Sequence, residues 1–244
     1  MRHALPATLR PVVLLTLVGA VCWLSGCSED EPKPTARIAV TNTYLEAAVR
    51  DLLGDDEPTL RLAEPGMCPG HFDLRPSQVR AMRPCRVLLR MDFQKSLDGK
   101  LADLTDDGLR VAEVRLTTGL GRPKTYLAAC RQAAGALVDA GLLEKEVAET
   151  KLTVVARRMA AAGDWARQRI AGAGLTAAPV IASTHQADFC GWLGLDVVGR
   201  CSAADQSTVG AIDDAVRAGL NRKCRLVLAN RPEGTRLAEA IADR

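Results

Sequence analysis

From residue 37 onward the chain alternates short apolar runs with stretches of helical spacing. Arg37 to Thr41 (RIAVT) is β-branched and reads as a first strand. Thr43 to Leu53 places apolar residues three and four apart and stops at Gly54, the pattern of an amphipathic helix. Thr59 to Leu62 reads as a second strand, and it runs into a turn-rich loop from Glu64 to Pro76. Ser77 suits the N-cap of a short helix over SQVRAM. Cys85 to Leu89 and Gly108 to Val114 supply a third and a fourth strand, and the first lobe ends near Leu116. Strand and helix in alternation imply a parallel sheet covered on both faces.

The second half begins with an Ala-rich helical stretch, Thr125 to Ala140. From Leu143 to Ala171 no proline intervenes and good helix formers dominate, so one long helix is expected, with Gly163 a candidate break. A helix of about 28 residues spans about 42 Å, more than one small sheet needs. Pro179 to Ala182, Asp196 to Val198 and Arg225 to Leu228 then read as strands with helices between and after them. The fold class is therefore α/β: two lobes of parallel sheet flanked by helices, joined by a long rigid helix, with a ligand cleft between the lobes at the carboxyl ends of the strands. The N-terminal lobe is placed at residues 37–118, the helical segment with the connector at 119–174 and the C-terminal lobe at 175–244.

The first 36 residues have a different character. Arg2, His3 and Arg10 precede an apolar run from Pro11 to Trp23, and Leu24-Ser25-Gly26-Cys27 follows. A basic start, a short apolar core and small residues at a cleavage point make a secretory leader over 1–26, too short to be a transmembrane helix. Leu-Ser-Gly-Cys resembles a bacterial lipobox, which would make Cys27 the lipidated first residue of an extracytoplasmic, membrane-anchored protein in the periplasm or at the cell surface. The Pro-rich polar stretch up to residue 36 serves as its tether.

Composition narrows the function. Aromatic residues make up 3% of the chain, so Ala, Val, Leu and Ile carry the core. Loss of Arg2 and Arg10 with the leader leaves 30 basic against 29 acidic residues, which gives no electrostatic case for nucleic acid. Six cysteines follow Cys27: Cys68, Cys85, Cys130, Cys190, Cys201 and Cys224. An even number in an oxidising compartment suggests disulfides, Cys68 with Cys85 and Cys190 with Cys201 or Cys224 as local bridges. No triad order, G-x-S-x-G or Walker loop is present, Gly119-Leu120-Gly121 alone is weak, and no enzyme is expected. Trp165 and Trp192 read as core or cleft-wall residues.

The chemistry rests on histidine. Beyond the leader the chain has two, His71 and His185, each in or after a loop leaving an expected strand, one per lobe. Glu64 to Gln78 (EPGMCPGHFDLRPSQ) resembles the first ligand loop of the zinc- and manganese-type (cluster A-I) solute-binding proteins of ABC transporters, with His71 on the first metal histidine. Ala182 to Ala187 (ASTHQA), with Gly194 to Gly199 after it, resembles the family's C-lobe motif and puts His185 on that ligand. Asn230 to Ala242 resembles its Glu-Pro-Gln stretch and following helix, and the resemblance runs over about 37–244. It implies a monomeric protein that binds zinc or another divalent transition metal between its lobes and hands it to an ABC permease.

The departures matter as much. Lys124 stands where the resemblance places a second histidine, and an ammonium offers no lone pair. Asn230 stands where the family often has Glu, and Arg244 comes before the strand that bears the family's last carboxylate ligand. A two-histidine site is weak for zinc, so further donors are sought in Cys68, Asp73 and Cys190, with Asp188 and Glu64 as oxygen sources. Thiolate donors would favour zinc or copper over manganese. The alternative is a descendant of the scaffold that has lost metal binding and takes another small ligand or a protein partner.

Overall fold

The computed structural model describes residues 35–67, 73–202 and 207–244. The leader, the lipobox cysteine Cys27, and Cys68 and His71 of the first ligand loop lie outside them. Strand β1 (Ile38–Val40) leads into α1 (Thr43–Leu53), β2 (Thr59–Arg61), α2 (Pro76–Ala81) and β3 (Val87–Met91). A 3-10 segment (Asp92–Lys100) and α3 (Ala102–Asp106) precede β4 (Arg110–Val114). Then come α4 (Pro123–Asp139), α5 (Lys145–Gly172), β5 (Pro179–Ser183), α6 (Thr184–Trp192), β6 (Asp196–Cys201), α7 (Val209–Asn221), β7 (Leu226–Leu228) and α8 (Arg236–Ala242). Every strand pairing is parallel, in two sheets ordered β2-β1-β3-β4 and β6-β5-β7.

The expected α/β architecture is present, and its local causes can be named. Asn42 opens α1 by accepting the Leu45 amide at 3.0 Å, and Gly54, at φ +101°, ends it in a conformation other residues rarely adopt. α2 begins two residues earlier than a Ser77 cap requires, with Arg75 in the capping position. Pro76 supplies the first helical residue with its φ already set, and Gln78 Oε1 accepts the Arg75 amide at 3.0 Å. β1 is fully buried on both faces, with Ile38 and Val40 toward one apolar cluster and Ala39 toward the other.

α4 buries Thr125, Ala129, Cys130, Ala133, Ala134 and Leu137, a stripe at helical spacing whose small residues let α1 and α5 come close. α5 is an unbroken 28-residue helix. Its Ala148 and Val155 belong to the core of the first lobe, while Ile170 packs on the core of the second. One rigid element therefore joins the lobes. Gly163 does not break it; a Cβ there would lie 3.3 Å from the Trp192 ring, so this glycine permits a close approach.

In the second lobe β5 separates two apolar layers. Val180 and Ala182 face α6, with Ala187, Cys190 and Leu195, whereas Ile181 faces α7 and α8, with Ala215, Val216 and Ile241. This alternation overturns the expected bridge from Cys190. Its thiol is free, packed in the α6 layer, while Cys201 and Cys224 belong to the opposite layer. Cys85 is likewise a free thiol, donating to the Ala36 carbonyl at 3.4 Å. Trp165 is 65% exposed and so no core residue, with the Arg169 guanidinium 5.9 Å from its ring. Among the described residues no helix is long and apolar enough to cross a membrane.

Candidate metal site and its surroundings

Both sheets present the carboxyl ends of parallel strands, where open α/β sheets hold ligands. In the first lobe the polar groups at these ends are turned inward. Thr41 Oγ1 donates to Gln94 Oε1 at 2.6 Å, and the same oxygen accepts the Met91 amide at 2.9 Å. Arg90, 4% exposed, is held by Asp98 through two 2.7 Å contacts and by Glu113 at 3.1 Å. The loop after β2 is pinned at its start by Gln78 Nε2, which donates to the Leu62 carbonyl at 2.6 Å. At its other end Asp73 is taken by Lys100, whose ammonium reaches both carboxylate oxygens at 2.6 Å. That partner and the Leu74 amide hold the Asp73 carboxyl below its usual range.

In the second lobe His185 is the second residue of α6, exposed, directly beyond the carboxyl end of β5. Its neighbour Gln186 donates to Asn230 Oδ1 at 3.1 Å, tying the start of α6 to the loop after β7. Lys124 is the second residue of α4, behind Pro123, and it too is exposed. Cys190 is a correction to the donor set. It is 1% exposed beside Val180, Ala182 and Leu195, and burial pushes its thiol up, so the side chain packs the core and offers no thiolate to the cleft.

Asp188 has another task. It accepts the Gly119 amide at 3.1 Å and Arg122 Nε at 2.5 Å, while Arg122 Nη2 engages its second oxygen. The loop from β4 to α4 is thereby tied to α6, across the junction of the lobes. Gly119 and Gly121 make this possible: a Cβ would lie 2.9 Å from Asp188 Oδ2 at the first and 3.0 Å from the Phe189 ring at the second. Phe189 in turn stacks on Trp192 at 5.6 Å, and Trp192 lies against Gly163. The Gly-Leu-Gly segment is a packing device, a role its sequence alone did not reveal.

Among the described residues no group of three or more His, Cys, Asp and Glu side chains could hold a metal ion. The described part of the cleft thus contributes one imidazole, His185, next in the chain to the Gln186–Asn230 amide pair. Neither a family model nor a curated protein matches the chain. Solved structures do. ZnuA shares 13% identity at a TM-score of 0.71, over 86% of this chain and 87% of that one. The AdcAII protein of Streptococcus pneumoniae shares 13% at 0.68, over 85% and 84%. A manganese-bound mutant of a periplasmic metal binding protein from Candidatus Liberibacter asiaticus shares 9% at 0.66, over 84% of each. The two-lobed fold of this chain is the fold of those proteins, in agreement with the resemblance its histidine motifs carry.

Proposed function

We propose that the chain is an extracytoplasmic lipoprotein, anchored through Cys27, that captures a divalent transition metal between its lobes and delivers it to an ABC permease without catalysing a reaction. Zinc is the metal proposed, since imidazole is one of its usual donors. The observation that carries this reading is the position of His185, exposed at the carboxyl end of β5 in a lobe joined to its partner lobe by one continuous helix. His71 is the proposed second donor. Protons compete with metal for imidazole nitrogens, so acidification favours release.

Native mass spectrometry of the protein with zinc, manganese and copper, beside His71→Ala and His185→Ala, tests it. One bound ion, lost in either variant, is expected. No binding at micromolar metal, or binding indifferent to both substitutions, refutes it.

A second reading draws on a separate observation. Asp73, Asp188 and Cys190 are held by Lys100, by Arg122 and by the core. That set supports a scaffold that has given up metal transport and binds another small ligand or a protein partner. A protein that purifies without metal but with a bound organic solute would favour it.

A further inference from the structure

The second lobe has a cavity of its own, of about 360 Å³, lined by Ser183, Ser202, Asn230, Thr235 and Arg236 among others. The topology explains why it is there. The chain leaves β5 into α6 on one face of the sheet and leaves β7 toward α8 on the other, as the two apolar layers show. Two loops departing from adjacent strands to opposite faces leave a crevice at the carboxyl edge, the position where open α/β sheets bind ligands. Its volume falls at the lower end of the range of small-molecule sites, roughly 300–1,000 Å³.

Ser183 marks this crevice as a site. It stands at the N-cap of α6, where a serine hydroxyl ordinarily accepts an amide of the first turn, yet it makes no capping bond. The residue is 3% exposed, and its Oγ is buried with no hydrogen-bond partner among the described residues. A buried hydroxyl left unsatisfied destabilises the folded chain. A group that gives up its local bond inside a cavity is satisfied when something else fills the cavity.

We infer that this crevice binds a small solute bearing a carboxylate or phosphate, with Ser183 as an interior hydroxyl donor and Arg236 as the counter-charge at the rim. The donor set decides the class. Ser183, Ser202 and Thr235 supply hydroxyls, Asn230 commits its carbonyl oxygen to Gln186 and so offers its amide N–H, and Arg236 is the cation. Among the described residues no carboxylate side chain lines the cavity. Hydroxyl, amide and guanidinium donors gathered on one cavity favour an anion over a cation. The site lies within one lobe and does not require the metal proposed for the cleft.

Calorimetric titration of the metal-stripped, full-length chain with citrate, succinate and phosphate tests the inference. At least one probe should bind with 1:1 stoichiometry. Arg236→Gln should weaken it roughly tenfold or more, as loss of a charge-assisted hydrogen bond does. Ser183→Ala should weaken it as well while leaving the unliganded protein at least as stable as before, which a structural hydroxyl would not do. His185→Ala should leave anion binding unchanged. Absence of saturable binding by all three probes overturns the inference, as does binding that both crevice variants leave intact. Metal binding measured separately on the same preparations can fail or succeed without altering either outcome.

Discussion

Removing the Asp188 carboxylate tests whether the lobes are tied at the loop between β4 and α4. Asp188 accepts one backbone amide, from Gly119, and a two-pronged contact from Arg122. The side chains of Arg122 and Asp188 are 31% and 37% exposed, which sets the scale. Solvent screens such a pair, so its contribution is about 1 kcal/mol and not the several associated with fully buried charges. The bond from the Gly119 amide adds about 1 kcal/mol. Asp188→Ala should therefore cost about 2 kcal/mol and Arg122→Ala about 1 kcal/mol. The double variant should cost no more than Asp188→Ala alone, a coupling of about 1 kcal/mol. Asp188→Asn keeps an acceptor for Gly119 and should lose only the ionic share.

Urea unfolding at low salt supplies all four values, and a repeat near ~1 M salt, where the Debye length is about 3 Å, should shrink the coupling by half or more. Effects that add to within about 0.3–0.5 kcal/mol at low salt would show the two side chains to be independent. Beside the connector helix, the lobe tie would then rest on the contacts of Gly121 with Phe189 and of Gly163 with Trp192.

Other expectations concern the thiols. Burial pushes Cys85 and Cys130 from an ordinary 9.0 up to about 11, because the folded state favours the neutral form. The stability this contributes is complete below pH 9 and is lost as pH rises toward about 11, with a slope of up to about 1.4 kcal/mol per pH unit for each thiol. Denaturation midpoints on either side of that window measure the fall, and a double Cys→Ala variant that declines as steeply as the parent would contradict its assignment to these residues. Thiol labelling mapped by mass spectrometry should reach half-buried Cys224 in the native protein and reach Cys85, Cys130 and Cys190 only on unfolding. A bridged peptide containing Cys190 would contradict the layered packing of the second lobe.

How much of this was legible in the sequence depends on the length scale of the cause. Strands β1 to β7 and helices α1, α2, α4 and α5 follow from local patterns, apolar runs and stripes at helical spacing, and each lies within a few residues of its expected place, whereas the 3-10 segment and α3 between β3 and β4 were not anticipated. What the sequence could not supply were relations across the fold. Ser77 looked like a cap because serine caps helices, but Pro76 in front of it already fixed the first turn. Cys190 looked like a donor five residues from His185, yet that residue sits on the inner side of α6. Asp73 and Asp188 looked available because nothing nearby in sequence claims them. Their partners, Lys100 and Arg122, stand 27 and 66 residues away. Ser183 carried a signal that could have been found: a serine just past an apolar strand, at the start of a helix, in a sheet that turns both ways.

Gly163 separates two accounts of the connector helix. If the glycine were there for flexibility, any good helix former should stabilise the protein, since glycine in a helix interior is less favourable than alanine by about 0.8–1.0 kcal/mol. The structure gives it a different purpose. A Cβ at this position would lie 3.3 Å and 3.5 Å from Trp192 ring atoms and 3.6 Å from Pro123 Cγ, so α5 meets the second lobe through the space a side chain would fill. Alanine then gains helix propensity but presses on the ring, and the two terms nearly cancel, leaving a net effect within about 0.5 kcal/mol. Leucine cannot fit without displacing Trp192 from Phe189, and overpacking of that kind costs about 1–3 kcal/mol. Thermal and urea unfolding of Gly163→Ala and Gly163→Leu measure the difference. Stabilisation by both substitutions would mean that the ring yields freely and the helix does not depend on this contact. A neutral alanine beside a destabilising leucine would mean that the lobes meet at an approach with no room for a large side chain.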